Sequence, residues 1–214
     1  MNMNERVMNI IDALERLYPD AKCSLEYKSA LELLVATQLA AQCTDARVNI
    51  VTQSLYKKYK TAEDFANADS KELEEDIKPT GFYHNKAKNI KNCCKMIIDE
   101  FNGQIPNSLE DLLKLPGVGR KTANLVLGDI FGVPGVVVDT HAKRLANRIG
   151  LSSSTDPAKI ELDLMKLIPK EKWSSFCHRL VYHGRAVCKA RKPECHKCEI
   201  RKWCERRNLE INVE

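Results

Sequence analysis

Apolar residues recur along most of the chain at intervals of three and four, the period of helices with one buried face. Val7, Ile10, Ile11, Leu14 and Leu17 mark a first helix over 5–17. Leu31, Leu33, Leu34, Ala36 and Leu39 mark a second over 29–42, and a third follows Thr44 over 45–59. Short helices are expected at 62–67 and 71–77. A long one over 83–101 (Ala87, Ile90, Cys94, Ile97, Ile98, Phe101) stops at Asn102-Gly103, the usual C-terminal signal. Ser108 and Asp111 resemble a capping box with Asp in the Glu/Gln place, opening a helix to Leu115. Further helices are expected from Arg120 to near Ile130, from Asp139 to Arg148, from Asp156 to near Pro169, and over 172–186. Val136–Val138 is too short to build a sheet, so the fold class is all-α, with about ten helices.

Composition agrees. The 214 residues are 43% hydrophobic, 29% charged and 6% aromatic, which excludes a disordered chain and disfavours a β-sandwich. No apolar run approaches a membrane span, and acidic residues interrupt the N-terminal amphipathic pattern, so the protein is expected to stay in the compartment where it is made. The net charge of +5 is unevenly placed. Residues 177–207 hold ten Lys/Arg against Glu194, Glu199 and Glu205, leaving the rest slightly acidic. A basic segment of this kind suits a polyanion; it also suits a solvated tail.

Nine cysteines make an odd count. Cys23, Cys43, Cys93, Cys94 and Cys177 are scattered through helical patterns and read as small buried hydrophobes. Cys188, Cys195, Cys198 and Cys204 instead follow C-x6-C-x2-C-x5-C within seventeen residues, a spacing that lets four thiolates share one tetrahedral ion or one cubane cluster. Spacing leaves zinc and 4Fe–4S both open. The single C-x2-C knuckle and the unequal loops favour the wider cage of iron–sulfur.

The segment LLKLPGVGRKTANLVLGDIFGVPGVVVD, residues 112–139, is the most informative. Two amphipathic helices meet at Pro116-Gly117-Val118-Gly119, so the amides of Gly117, Val118 and Gly119 stand at a helix start. Free N–H groups at the positive end of a helix dipole form an anion site able to hold a DNA phosphate without reading bases. The plainer reading is a tight turn. Lys121 lies just beyond, where the dipole field favours the unprotonated amine that attacks an electrophilic carbon. Asp139 opens the next helix and suits either a cap or a carboxylate that steadies positive charge.

LPGVGRKTANLVL, then VDTHAKRLANRIGL, then the cysteine quartet together resemble the endonuclease III family of helix–hairpin–helix DNA glycosylases. LELLVATQLAAQCTDARVN and GFYHNKAKNI extend the likeness over essentially the whole chain. The resemblance implies an all-α protein of two domains flanking a cleft. A six-helix domain over 23–134 carries the hairpin, and a domain of 1–22 plus 135–214 carries a 4Fe–4S cluster held by Cys188, Cys195, Cys198 and Cys204. It implies a bifunctional glycosylase and AP lyase that excises oxidised pyrimidines from double-stranded DNA in base-excision repair. Lys121 attacks C1′ and Asp139 assists base loss and the later steps. Gln42 matches the family's gap-filling glutamine, and Phe82 falls at its apolar wedge, commonly leucine, from which the aromatic ring departs. Ala40 and Cys43 are also unusual there. His141 is expected to orient a phosphate or the aspartate. Lys189, Arg191 and Lys192 form a basic loop for phosphates, framed by the cluster. A monomer in the bacterial cytoplasm, associated with the nucleoid and with no membrane, completes the expectation.

Two kinds of rival differ from this by identifiable residues. Adenine glycosylases of the fold normally lack the lysine and carry a long C-terminal recognition domain, whereas thymine-mismatch glycosylases stand closer. A non-catalytic zinc or iron–sulfur DNA-binding module would need neither Lys121 nor Asp139.

Overall fold

The computed structural model describes residues 2–207. Among them are eleven α-helices and no strand: α1 Met3–Leu17, α2 Ala30–Leu39, α3 Asp45–Lys58, α4 Ala62–Asn67, α5 Ser70–Ile77, α6 Tyr83–Phe101, α7 Leu109–Lys114, α8 Arg120–Phe131, α9 Thr140–Ile149, α10 Pro157–Leu167 and α11 Trp173–Ala186. Among the described residues no helix is long and apolar enough to cross a membrane. Packing divides the chain into two units, Cys23–Val133 and Met1–Lys22 with Pro134–Glu214.

The Cys23–Val133 unit holds seven of these helices, where the resemblance implies six. Leu33 and Leu34 of α2, Phe65 of α4, Leu73 and Ile77 of α5 and Ile90 and Ile97 of α6 are fully buried. The ring of Tyr59 stacks on Phe65 at 5.1 Å. Polar side chains start several of the helices. Ser29, Thr44 and Asp69 accept N–H bonds from α2, α3 and α5, which satisfies donors that a helix start leaves orphaned.

Two local expectations are corrected here. The reciprocal capping box is Thr61 with Asp64 at α4. At α7, Ser108 accepts the Asp111 N–H, but the Asp111 carboxylate is spent on the Ser108 hydroxyl at 2.7 Å and on Lys114 at 2.8 Å instead of the cap backbone. Helix α2 also ends at Leu39, three residues before the apolar pattern suggests. The chain then turns through Gln42, which has a left-handed backbone (φ +55°).

The second unit packs α1, α9, α10 and α11 around one core. Ile10, Ile11 and Leu14 of α1 meet Leu145 and Ile149 of α9, Ile160 and Leu164 of α10, and Phe176 and Leu180 of α11. Cys188, Cys198, Cys204 and Trp203 are half-buried against that core. Arg6 of α1 ties the parts together: its guanidinium donates to the carbonyls of Ile149, Gly150 and Trp203 and pairs with Glu205 at 3.3 Å.

Candidate functional site

The hairpin between α7 and α8 owes its shape to Gly117. Its φ of +77° is a left-handed conformation that glycine adopts without strain. A Cβ there would stand 2.8 Å from Gln38 Oε1 and 3.0 Å from Asn89 Cβ. The three amides singled out in the sequence are not equivalent. Val118 is buried and its N–H donates to Leu115 O at 3.1 Å, so that amide is spent on the turn. Gly117 and Gly119 are exposed, and their N–H groups have no partner among the described residues. Gly119 caps α8 with no side chain of its own. Two free amides and the N-terminus of a twelve-residue helix thus share one exposed spot. Lys121, second residue of α8, is exposed beside them.

Gln42 and Phe82 lie in this same unit. Phe82 precedes α6 with φ +50°, again left-handed, and is 64% exposed. Two non-glycine residues in that conformation, each costing about 1 kcal/mol or more, both carry exposed side chains at loop tips.

Asp139 belongs to the other unit, so Lys121 and Asp139 sit on separate bodies of the chain. Asp139 is half-buried and caps α9, its Oδ1 accepting the Ala142 N–H at 2.7 Å. That bond uses one carboxylate oxygen. His141 turns towards α11: its Nδ1 lies 3.2 Å from the Arg144 guanidinium, which is always a donor, so Nδ1 accepts and the ring proton sits on Nε2. Arg144 also donates to the carbonyls of Gly184 and Cys188. Gly184 is required at this crossing, since a Cβ would stand 2.8 Å from His141 Nδ1.

The four cysteines Cys188, Cys195, Cys198 and Cys204 line one cavity, together with His183, Arg148 and the apolar Leu145, Ile149 and Ile200. Polar contacts reach three of the sulfurs: Arg148 donates to Cys188 Sγ at 3.6 Å, His183 Nε2 lies 3.3 Å from Cys198 Sγ, and the Cys204 thiol donates to Arg148 O at 3.4 Å. Burial, with a smaller contribution from the neighbouring thiols, pushes the Cys198 thiol up to about 11. A positive metal core relieves that repulsion. Four thiols on one cavity, one of them approached by the Arg148 guanidinium, suit a metal centre with thiolate ligands. The scattered cysteines contrast with it: burial pushes Cys93 and Cys177 up to about 12, as inert core thiols.

Arg148 also holds the basic loop, donating to Lys189 O at 2.7 Å and Ala190 O at 2.9 Å. Lys189 is not turned outward alone: it pairs with Glu194, which Lys197 contacts too at 2.9 Å. The two lysines hold the Glu194 carboxyl down at about 2. Arg191 and Lys192 are exposed, and Lys192 has a left-handed backbone (φ +52°). His183, Arg144 and Arg148 escaped the sequence reading. Only their places, five residues before Cys188 and one turn apart on α9, hinted at them.

Residues 35–170 match the model of the HhH-GPD superfamily of base excision DNA repair proteins. The chain is similar to an endonuclease III of Synechocystis sp., with 53% identity over 94% of this chain and 92% of that one. It is also similar to that of Bacillus subtilis, with 46% identity over 91% and 89%. Among solved structures, a trapped covalent endonuclease III–DNA intermediate, an estranged-adenine complex, superposes with a TM-score of 0.91 at 44% identity, covering 96% of this chain and 97% of that one.

Proposed function

The chain belongs to the endonuclease III family of the HhH-GPD superfamily, and we propose that it excises oxidised pyrimidines from duplex DNA and then nicks the abasic strand by β-elimination. The observation that carries this reading is Lys121, exposed at the start of α8 immediately after the free amides of Gly117 and Gly119. A nucleophilic amine and a phosphate grip on one helix end place a DNA sugar within the amine's reach.

The damaged base leaves the stack first, because its glycosidic carbon is shielded inside the duplex. Gln42 and Phe82 occupy the gap, Gln42 hydrogen-bonding the orphaned base and Phe82 wedging beside it. The Lys121 amine attacks C1′ as the C1′–N bond breaks. The bonding pair leaves with the base, which takes up a proton, and the amine loses one. The C1′–O4′ bond then breaks, O4′ keeping the pair and taking up a proton, which leaves an iminium at C1′. This acidifies the C2′ proton; its removal expels the 3′ phosphate with the C3′–O electron pair. Asp139 stabilises the positive charge and relays protons. Cys188, Cys195, Cys198 and Cys204 would hold a 4Fe–4S cluster, whose iron core binds the thiolates and fixes the loop. Arg191 and Lys192, with Lys189 more constrained, then meet phosphates in that ordered loop. The protein acts as a monomer on duplex DNA in the bacterial cytoplasm.

A panel of duplexes carrying an oxidised pyrimidine, a G·T mismatch or an A opposite oxidised guanine tests the substrate class. Release of the oxidised pyrimidine, followed by a nick, is expected. Release confined to the mismatched thymine would assign the chain to the mismatch branch of the fold instead.

A further inference from the structure

Lys86 of α6 is a buried lysine, only 6% exposed. Its Nζ donates to two backbone carbonyls, Leu39 O at 2.7 Å and Thr80 O at 2.8 Å. Its own amide donates to Phe82 O at 3.1 Å. Burying an ammonium is costly unless hydrogen bonds replace its water, so a lysine here calls for a reason beyond filling space. Both carbonyls belong to segment ends that lack helical partners: Leu39 closes α2, and Thr80 closes the 3-10 turn Lys78–Thr80. Each end leads directly to a strained tip. Three residues past Leu39 stands Gln42, and two past Thr80 stands Phe82, both exposed and left-handed. The early end of α2, which its apolar pattern does not foretell, coincides with this bond.

We propose that Lys86 is a positioning residue that ties the Gln42 and Phe82 tips together at the spacing one emptied base step requires. The inference rests on the gap-filling reading of those two side chains. One ammonium bridges the carbonyls before both tips, so neither loop shifts without the other. Lys86 touches no DNA; it acts through the two residues that do.

The test compares Lys86→Met, the pair Gln42→Ala with Phe82→Ala, and all three together. Each is assayed by single-turnover excision from a lesion duplex, by fluorescence of 2-aminopurine beside the lesion at saturating protein, and by duplex binding. Lys86→Met is expected to bind duplex nearly as wild type, to lose the rise in 2-aminopurine fluorescence, and to excise about 100-fold more slowly, the penalty of misplaced positioning groups. Adding it to the double variant should cost almost nothing more, because coupled residues are non-additive. Should Lys86→Met melt below assay temperature, Lys86→Gln, which keeps one donor group, is read in the same way. A double variant with wild-type excision overturns the gap-filling reading, and this inference with it. A crippled double variant overturns the inference alone if Lys86→Met behaves as wild type, or if it adds its full loss in the triple.

Discussion

Gly117 Cα lies so close to the Gln38 side chain that a Cβ would stand 2.8 Å from Gln38 Oε1. The hairpin is therefore pressed onto the side of α2 and α6, and its free amides are aimed by packing underneath. Gly117→Ala should lose about 1–3 kcal/mol of stability from the left-handed backbone and the overlap together. Its duplex affinity should fall as the amides tilt. Urea unfolding and binding titrations measure both, and an alanine variant with unchanged midpoint and affinity would show that the turn tolerates a side chain.

The basic loop should not behave as three equal cations. Lys189 is paired with Glu194, whereas Arg191 and Lys192 are exposed. Replacing Arg191 and Lys192 together by Ala should flatten the slope of log affinity against log salt by about two, close to one unit per lost phosphate contact. Lys189→Ala should change it less. An equal or larger effect of Lys189→Ala would mean that the ion pair opens on DNA.

His183 stands between Tyr18 OH at 3.1 Å and Cys198 Sγ at 3.3 Å, buried and held neutral, its protonation pushed down to about 4. Protein prepared without oxygen should carry about four irons per chain, as a 4Fe–4S cluster requires. His183→Phe keeps the ring volume and removes the bond to sulfur. Its iron should pass to a chelator several-fold faster than in wild type, since such outer contacts are typically worth about tenfold or more. Stoichiometric zinc without iron in the wild type would overturn the cluster assignment.

Asp139 both caps α9 and, in the proposed reaction, faces positive charge. Asp139→Asn separates these roles, because an amide oxygen can still accept the Ala142 N–H and Asn caps helices as well as Asp does. The melting temperature should hold while excision falls by about 100-fold or more, the usual range for a lost acid–base group. A parallel fall in stability would make Asp139 chiefly a cap.

What could be read from the chain before its fold was known divides along physical lines. Helix periodicity and local caps are encoded within a few residues, and α3, α4, α6 and α11 fall where the apolar spacing puts them. The cysteine quartet and the Pro-Gly-Val-Gly turn are equally local signals. The end of α2 was not legible, because it is marked by no Gly or Pro; a lysine 47 residues later takes its last carbonyl. Nor was the unequal fate of the hairpin amides, which depends on the direction of one N–H. His183 and Lys86 look like ordinary helix residues in sequence, and only the groups that the fold brings to their tips give them distinct parts.

Borohydride trapping on an abasic duplex tests the central claim most directly. Lys121 stands exposed beside the free hairpin amides, and its amine is proposed to form the iminium that borohydride reduces to a permanent crosslink. Wild-type protein should yield the covalent adduct. Lys121→Gln should yield none while still binding the duplex. Wild-type levels of adduct from Lys121→Gln would show that another amine carries the reaction.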